Sequence, residues 1–413
     1  MKQIIYIFLA CWLLPAAAQP LGRDVASLLA YAKDHNQELA ALRFDADAAS
    51  QRVQPAGSLP DPVLRTELMD FTNQGNNRPA SLLPGNVGAT RYLLTQSVPW
   101  YGRRELQSNV ARAQESGIRG QVAALWADLS SKIKSAYAMH YYLAGSIRLT
   151  REMADLTQRL EKLAQTRYAN GQGTQQEVIR AQLERTDLQS TLIALANEQH
   201  HAHTQLNNLL SRPSDAPLAD PETLRPLPSA AGLGTLDALV RANNPQLQIA
   251  ASGVDEAKIN LDLSYKNRYP GFTLGVAPTQ SGNTVKSWDL MVEFNIPLQQ
   301  ESRRSQEREA QSRVAAATAR QEVLLNGVLS ALAESVSGLA SAQRTDNLIA
   351  MQLLPQAELS FQSALNGYAN GKVDFATLLD AQRFILKARL QQIRAQYDAQ
   401  LRLAEIDRLT GGE

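Results

Sequence analysis

The sequence predicts a mainly α-helical chain with a small β part, in which long helical hairpins are built twice and four β-strands are added. Three observations carry this expectation. The run RYANGQGTQQEVIRAQ at 167–182 returns as GYANGKVDFATLLDAQ at 367–382, with six of sixteen positions identical. Residues 100–212 and 298–354 contain no proline, so neither stretch holds the residue that breaks helices. Four short runs alternate apolar and polar side chains with the period of a strand.

In chain order, the N-terminus reads as a secretory signal over residues 1–18. Lys2 precedes an apolar run from Ile4 to Leu14, and Pro15 and the small residues Ala16, Ala17 and Ala18 follow, so the mature chain is expected to begin at Gln19. The single cysteine, Cys11, falls inside this segment, where Leu9-Ala10-Cys11 is a faint match to a lipoprotein signal. Removal of the segment leaves no thiol and no disulfide, which suits an exported protein. Lys+Arg 41 against Asp+Glu 40 gives a net charge of +1, with acids and bases interspersed, so no nucleic-acid partner is indicated. Beyond the signal, no stretch has the ~18–20 consecutive apolar residues of a membrane-spanning helix. If the chain enters a membrane, strands must do it.

The repeat divides the mature chain into 19–210 and 235–413, joined by a Pro-rich linker at 211–234. Landmarks recur in the same order: Asn36-Gln37-Glu38-Leu39 and Asn244-Pro245-Gln246-Leu247, Pro62 and Pro270, Val98-Pro99-Trp100 and Ile296-Pro297-Leu298, Arg103-Arg104 and Arg303-Arg304. Each half therefore reads as helix, two strands, then two long helices around the Tyr-Ala-Asn-Gly turn. A 40-residue helix would be ~60 Å long. After the second turn, Leu378, Ala381, Ile385, Ala388, Gln392, Ala395, Ala399, Arg402, Ile406 and Leu409 follow alternating three- and four-residue spacing, an Ala-rich coiled-coil seam. Leu379, Leu386, Leu390, Ile393, Tyr397 and Ala404 form a second stripe beside it. Two stripes ask for a neighbour on either side, as in a wall of helices; an ordinary antiparallel bundle explains one stripe equally well.

The strand-like runs are Leu64, Thr66, Leu68 against Arg65, Glu67, Met69; Tyr92, Leu94, Val98 against Arg91, Thr95, Ser97; Phe272, Leu274, Val276 against Thr273, Gly275, Ala277; and Trp288, Leu290, Val292, Phe294 against Asp289, Met291, Glu293. Leu93 and Gln96 disturb the second. Such alternation marks a transmembrane β-barrel strand or one strand of a soluble sheet buried on one face. Four strands cannot close a barrel, and open edges are not tolerated in lipid, so the membrane reading requires several copies. Three chains would supply twelve strands. Trp100 then suits an interfacial aromatic girdle.

Together, the duplicated order of elements, Asn244 to Leu247, Val98 to Arg104, the paired Tyr-x-x-Gly turns and Leu378-Leu379-Asp380-Ala381-Gln382 resemble the TolC-type outer-membrane factors across the mature chain. The resemblance implies a homotrimer with a twelve-stranded barrel in the outer membrane and a helical tunnel crossing the periplasm. It implies as partners a periplasmic adaptor and an inner-membrane transporter, of the proton-driven resistance-nodulation-division class. By position, Tyr168, Asn170 and Gly171 and Tyr368, Asn370 and Gly371 would be the tips that meet the adaptor. Asp380 matches an acidic entrance position of the family; Thr377 occupies its neighbour, and Glu177 and Arg180 correspond on the first turn. These four are expected to help hold the entrance shut, or else to be solvated helix-surface charges. Pro99 to Arg104 and Pro60-Asp61-Pro62 look most like the heavy-metal branch.

His200, His201 and His203 do not share one helical face, so no metal centre is expected, and no cofactor. No phosphate loop, nucleophile elbow or zinc-protease motif is present, so an enzyme is not expected. Two classes remain: an outer-membrane exit duct, for heavy-metal cations, drugs or type I secretion substrates, and a periplasmic helical scaffold or adaptor.

Overall fold

The computed structural model of the chain describes residues 21–76, 79–228 and 233–412. The expected signal, with Cys11 and Gln19, lies outside them, as do linker residues 229–232. Two compact units form. One, the sheet unit, comprises residues 38–125 and 238–330; the other, the turn unit, comprises residues up to 37, 126–237 and 331–413. Neither unit follows the sequence repeat, because corresponding elements of the two repeats pack on each other, strand to strand and helix to helix.

Helix α1 (Val25–His35) is capped by Asp24, whose carboxylate accepts from the Ser27 N–H at 2.8 Å. Helix α2 spans Gln37–Ala56, and in the second repeat α5 (Leu233–Asn243) and α6 (Pro245–Lys266) repeat that pair. Asn244 caps α6, accepting from the Leu247 N–H at 3.0 Å, and Pro245 fits the first turn, where no N–H is needed. The expected single opening helix is thus two helices with an asparagine between them.

Strands β1 (Val63–Met69), β2 (Ala89–Val98), β3 (Phe272–Ser281) and β4 (Thr284–Phe294) form one antiparallel sheet in sequence order. The β2–β3 pairing joins one hairpin from each repeat. Trp100, expected among the strand residues, lies just beyond β2: Pro99 has no N–H for the ladder and ends it. Its ring stacks on Tyr269 (4.9 Å between centroids) and Phe272 (5.8 Å).

Long helices follow: α3 (Arg103–Ala169) and α4 (Gln175–Leu209) in the first repeat, α7 (Gln300–Leu348), α8 (Leu354–Ala369) and α9 (Phe375–Thr410) in the second. A π-helical turn over Ile349–Leu353 separates α7 from α8. It sits just before Pro355, which has no N–H and whose ring would clash with a regular helical carbonyl one turn back. The run Gln300–Ala369 includes a window with mean hydropathy 1.5, long and apolar enough to cross a membrane by composition. Its apolar stretch, 323–340, is interrupted by Asn326, Ser330 and Glu334, and only 22% of the window is buried.

In the turn unit, the predicted α9 seam is realised. Leu378, Ala381, Ile385, Ala388, Ala395, Ala399, Ile406 and Leu409 are buried; Gln392 and Arg402 are not. One core joins Leu160, Ala164, Ala181 and Leu188 to Phe361, Ala364, Tyr368, Phe375 and Leu378. A second joins Leu28 and Ala32 to Leu129, Ile133, Tyr137, Leu206 and Leu210. The linker is tied to it: the Tyr137 hydroxyl donates to the carbonyls of Arg23 and Thr223, both at 2.8 Å, and burial pushes that phenol up to about 12.

Candidate functional site

The two Tyr-Ala-Asn-Gly turns have the same backbone. Gly171 at φ +70° and Gly371 at φ +69° take the left-handed conformation that ends each helix. The Gly171 N–H donates to Tyr168 O (3.0 Å) and the Gln172 N–H to Arg167 O (2.8 Å); the Gly371 N–H to Tyr368 O (3.0 Å) and the Lys372 N–H to Gly367 O (2.8 Å) repeat the pattern. These are Schellman caps, and only the glycine is left-handed; Asn370 sits at φ −91°. Asn170, Gly171, Asn370 and Gly371 are all exposed.

The side chains differ. Tyr168 is 49% exposed, Tyr368 only 2%. The Tyr368 ring packs against Phe375 (5.2 Å) and beneath the Arg167 guanidinium (4.8 Å), and its hydroxyl donates to Glu177 Oε2 at 2.7 Å. Burial, and then the Glu177 carboxylate, hold the Tyr368 phenol well above its usual pKa. Arg167 also donates to Tyr368 O (2.8 Å), Ala369 O (3.1 Å) and Gln172 O (3.1 Å). One cation of the first turn therefore adds charged donors to the carbonyls at the end of α8 and fastens the two turns together. Tyr368, expected as a surface tip, is a buried packing residue, because Arg167 and Phe375 cover its two faces.

Downstream, Asp374 caps α9, accepting from the Thr377 N–H (2.8 Å) and hydroxyl (2.6 Å). Those bonds, with Arg180 contributing from the first repeat, hold its carboxyl below the usual range. Thr174, its counterpart, makes no side-chain cap bond. Thr377 thus serves the α9 cap within its own chain. Asp380 is exposed and pairs with Arg383 at 3.6 Å; Arg383 forks onto the buried Glu184 of α4. Buried Glu161 of α3 is met by Arg185 (3.0 Å) and accepts from Gln182 (3.2 Å). Gln382, the counterpart of Gln182, instead donates to Thr157 Oγ1 at 2.6 Å. The sequence reading missed Arg167, Glu184, Glu161 and Arg383. One signal was available for the first: Arg167 stands where the second copy has Gly367, so the near-identical motifs differ in charge just before the tyrosine.

On the sheet, Leu64, Leu94, Val276 and Leu290 form one register row across all four strands and are 40–80% exposed. Leu274 with Val292, Phe272 with Phe294, and Trp288 extend the same face; Leu68 and Tyr92 complete it. The other face carries Arg91 between Glu67 (3.7 Å) and Asp289 (3.8 Å). Leu93 lies on that polar face and is buried, which explains the break in the β2 pattern. It packs against Gly275, where an added Cβ would come within 3.0 Å of Leu93 and 3.1 Å of Thr95. Strands β1 and β4 have no second neighbour among the described residues.

The histidine run resolves into a contact that its spacing did not reveal. His203 Nε2 lies 3.1 Å from Nδ1 of the buried His140, whose Nε2 lies 3.0 Å from Ala219 O; burial lowers both pKa values. Among the described residues His200 and His201 make no hydrogen bond to this pair, and His200 adds to the lowering at His203. Among the described residues no three His, Cys, Asp or Glu side chains gather as a metal-ligand group.

Among the described residues, then, the sheet exposes one apolar face and leaves both edges unpaired, and the helices reverse through two capped turns. Residues 238–412 match the family model described as outer membrane efflux protein. The chain is similar to the cobalt-zinc-cadmium resistance protein CzcC of Cupriavidus metallidurans, 22% identical over 400 residues, which is 96% of this chain and 91% of that one. Its fold is similar to the outer-membrane channel OprN (TM-score 0.79, 18% identity, 94% of this chain and 90% of that one). It is likewise similar to the outer membrane protein VceC of Vibrio cholerae (TM-score 0.79, 17% identity, 94% and 96%). The family match thus lies in the second repeat, and the likeness to the solved channels extends a shared fold over 94% of the chain.

Proposed function

We propose that three copies of this chain close a twelve-stranded barrel in the outer membrane and form the exit duct of a tripartite efflux system. The observation that carries this reading is the sheet: one face is apolar and exposed, and among the described residues both edges are open. In water that face would be a liability. In lipid it is the required surface, provided β4 of one copy pairs with β1 of the next, since every unpaired backbone group in hydrocarbon costs several kcal/mol. The duct is passive, and it extends into the periplasm through the helices.

The exposed parts of the two turns, Tyr168, Asn170, Gly171, Asn370 and Gly371, are the surface offered to a periplasmic adaptor, with an inner-membrane transporter of the resistance-nodulation-division class beneath. The entrance is held by the turn-to-turn bonds, above all Tyr368 with Glu177. Arg180 acts on Asp374, and Asp380 works through Arg383 on Glu184. The similarity to CzcC supports heavy-metal cations as the solute.

Fractionation tests the duct. Purified outer membranes are expected to contain a heat-modifiable trimer; a soluble periplasmic monomer would exclude it. A deletion strain is expected to become sensitive to cobalt, zinc or cadmium, and sensitivity to drugs alone would reassign the solute.

A further inference from the structure

We propose that the sheet unit holds a phosphate-type oxyanion between Arg103 and Arg303. Both arginines line one cavity of about 380 Å³, together with Asn267, Tyr269, Asn295 and Ser302. The cavity wall is almost wholly polar, yet nothing in it balances the two cations. Among the described residues neither guanidinium has a hydrogen-bond or ion-pair partner, and Arg303 Nε is buried with none. The neighbouring acids are taken: Glu307 by Arg268 and Glu301 by Arg308 at 3.1 Å. Lys266 adds a third cation, its ammonium lying against Gly102, one residue before Arg103.

A buried charged donor without a partner is costly, and native structures rarely leave one. Here the cost is compounded, because Arg103 and Arg303 stand in the first turns of α3 and α7, where the helix dipole already disfavours cations. The duplication places an Arg-Arg pair at this point in both repeats, at 103–104 and 303–304, and the fold brings one member of each pair to the same cavity. An anion bound there removes the conflict. The planar guanidinium forks favour phosphate, whose oxygens accept bidentate bonds. The Asn295 side-chain oxygen already accepts from the Gly271 N–H at 2.7 Å, so its amide remains a donor for the same ligand. Tyr269 stacks on Trp100, and Tyr101 and Leu298 are exposed nearby, a collar suited to the headgroup level of a bilayer. The phosphate can therefore come from a lipid headgroup or be free.

The test uses the purified full-length protein in detergent. Inorganic phosphate is titrated by calorimetry, and retention of dioleoyl phosphatidylglycerol is compared with that of dioleoylglycerol, which lacks the phosphate, by native mass spectrometry. Wild type is expected to bind one phosphate, or to keep one phosphatidylglycerol, per chain. The Arg103→Gln/Arg303→Gln variant should bind at least tenfold more weakly, with Arg304→Gln unchanged. If the double variant does not fold, Arg303→Lys, which keeps the charge and loses the fork, should weaken binding severalfold. Retention of the lipid without binding of inorganic phosphate assigns a headgroup; binding of inorganic phosphate assigns a free anion. Failure of wild type to bind either probe, or equal binding by the variants, overturns the site. The lipid arm rests on the membrane placement proposed above, whereas the phosphate titration stands without it.

Discussion

The two turns of the turn unit share four residues and one backbone, and they have opposite environments. In the first repeat Tyr168 faces solvent and α4 buries six of its 35 residues; in the second, Tyr368 is enclosed and α9 buries 14 of 36. The same cap thus serves two ends. One copy is anchored in the core, and the other supplies Arg167 and Glu177 as clamps on it. Duplication provided the reversal, and divergence at the flanking positions decided which reversal is fixed and which presents its side chains.

The tyrosines give the largest separation between the copies. Tyr368→Ala is expected to cost about 3–5 kcal/mol, the range for emptying a buried aromatic site, while Tyr168→Ala stays within about 0.5 kcal/mol. Amide hydrogen exchange across 361–379 and 161–179 measures both, and equal effects would erase the distinction. Arg167→Ala comes next. Losing charged donors to three carbonyls is expected to cost about 1.5–3 kcal/mol. That loss should appear as faster exchange around the second turn, 201 residues away in sequence, whereas Lys372→Ala should leave the first turn unchanged.

Two smaller effects depend on pH. His140 is buried and His203 partly buried, both with lowered pKa values, so the unfolded chain takes up protons near 6.5 while the folded pair resists them. Their contact therefore stabilises fully above about 6.5 and loses that contribution as pH falls below it. With the turns aligned, the second repeat has Ala340 and Leu403 at these positions, so faster exchange at mild acid is expected around 137–143 and 200–206 and not around 337–343. Asp374 has a depressed pKa, so its cap is intact above the unfolded value of 3.8 and weakens as pH falls through the lower folded value. Protection of the Thr377 amide should decline there, while that of Glu177, which donates to Thr174 O, should not.

Much of this architecture was legible in the sequence. Period-two alternation located all four strands, and the three-four spacing located the α9 seam, because both patterns record burial directly. The turns were legible because a left-handed position strongly favours glycine. What escaped was pairwise. Nothing local to Tyr168 or Tyr368 says which ring is covered, since the cover is Arg167 and Phe375. Nothing in His200-His201-Ala202-His203 points to His140, 63 residues away. The grouping into units was equally hidden, because repeats in sequence need not be units in space. Of the expected gate residues, Glu177 stands at the turn-to-turn contact, Thr377 belongs to a helix cap, Asp380 pairs with Arg383, and Arg180 helps lower the Asp374 pKa.

The central claim is that this chain forms a closed duct whose entrance is held by bonds between unlike turns. Single-channel conductance of the purified trimer in planar bilayers tests it most directly. Wild type should conduct weakly, and Tyr368→Phe, which deletes the hydroxyl bound to Glu177 and keeps the packed ring, should conduct more. Tyr168→Phe should behave as wild type. A folded trimer that forms no pore, or one whose conductance is the same in all three proteins, would contradict the account.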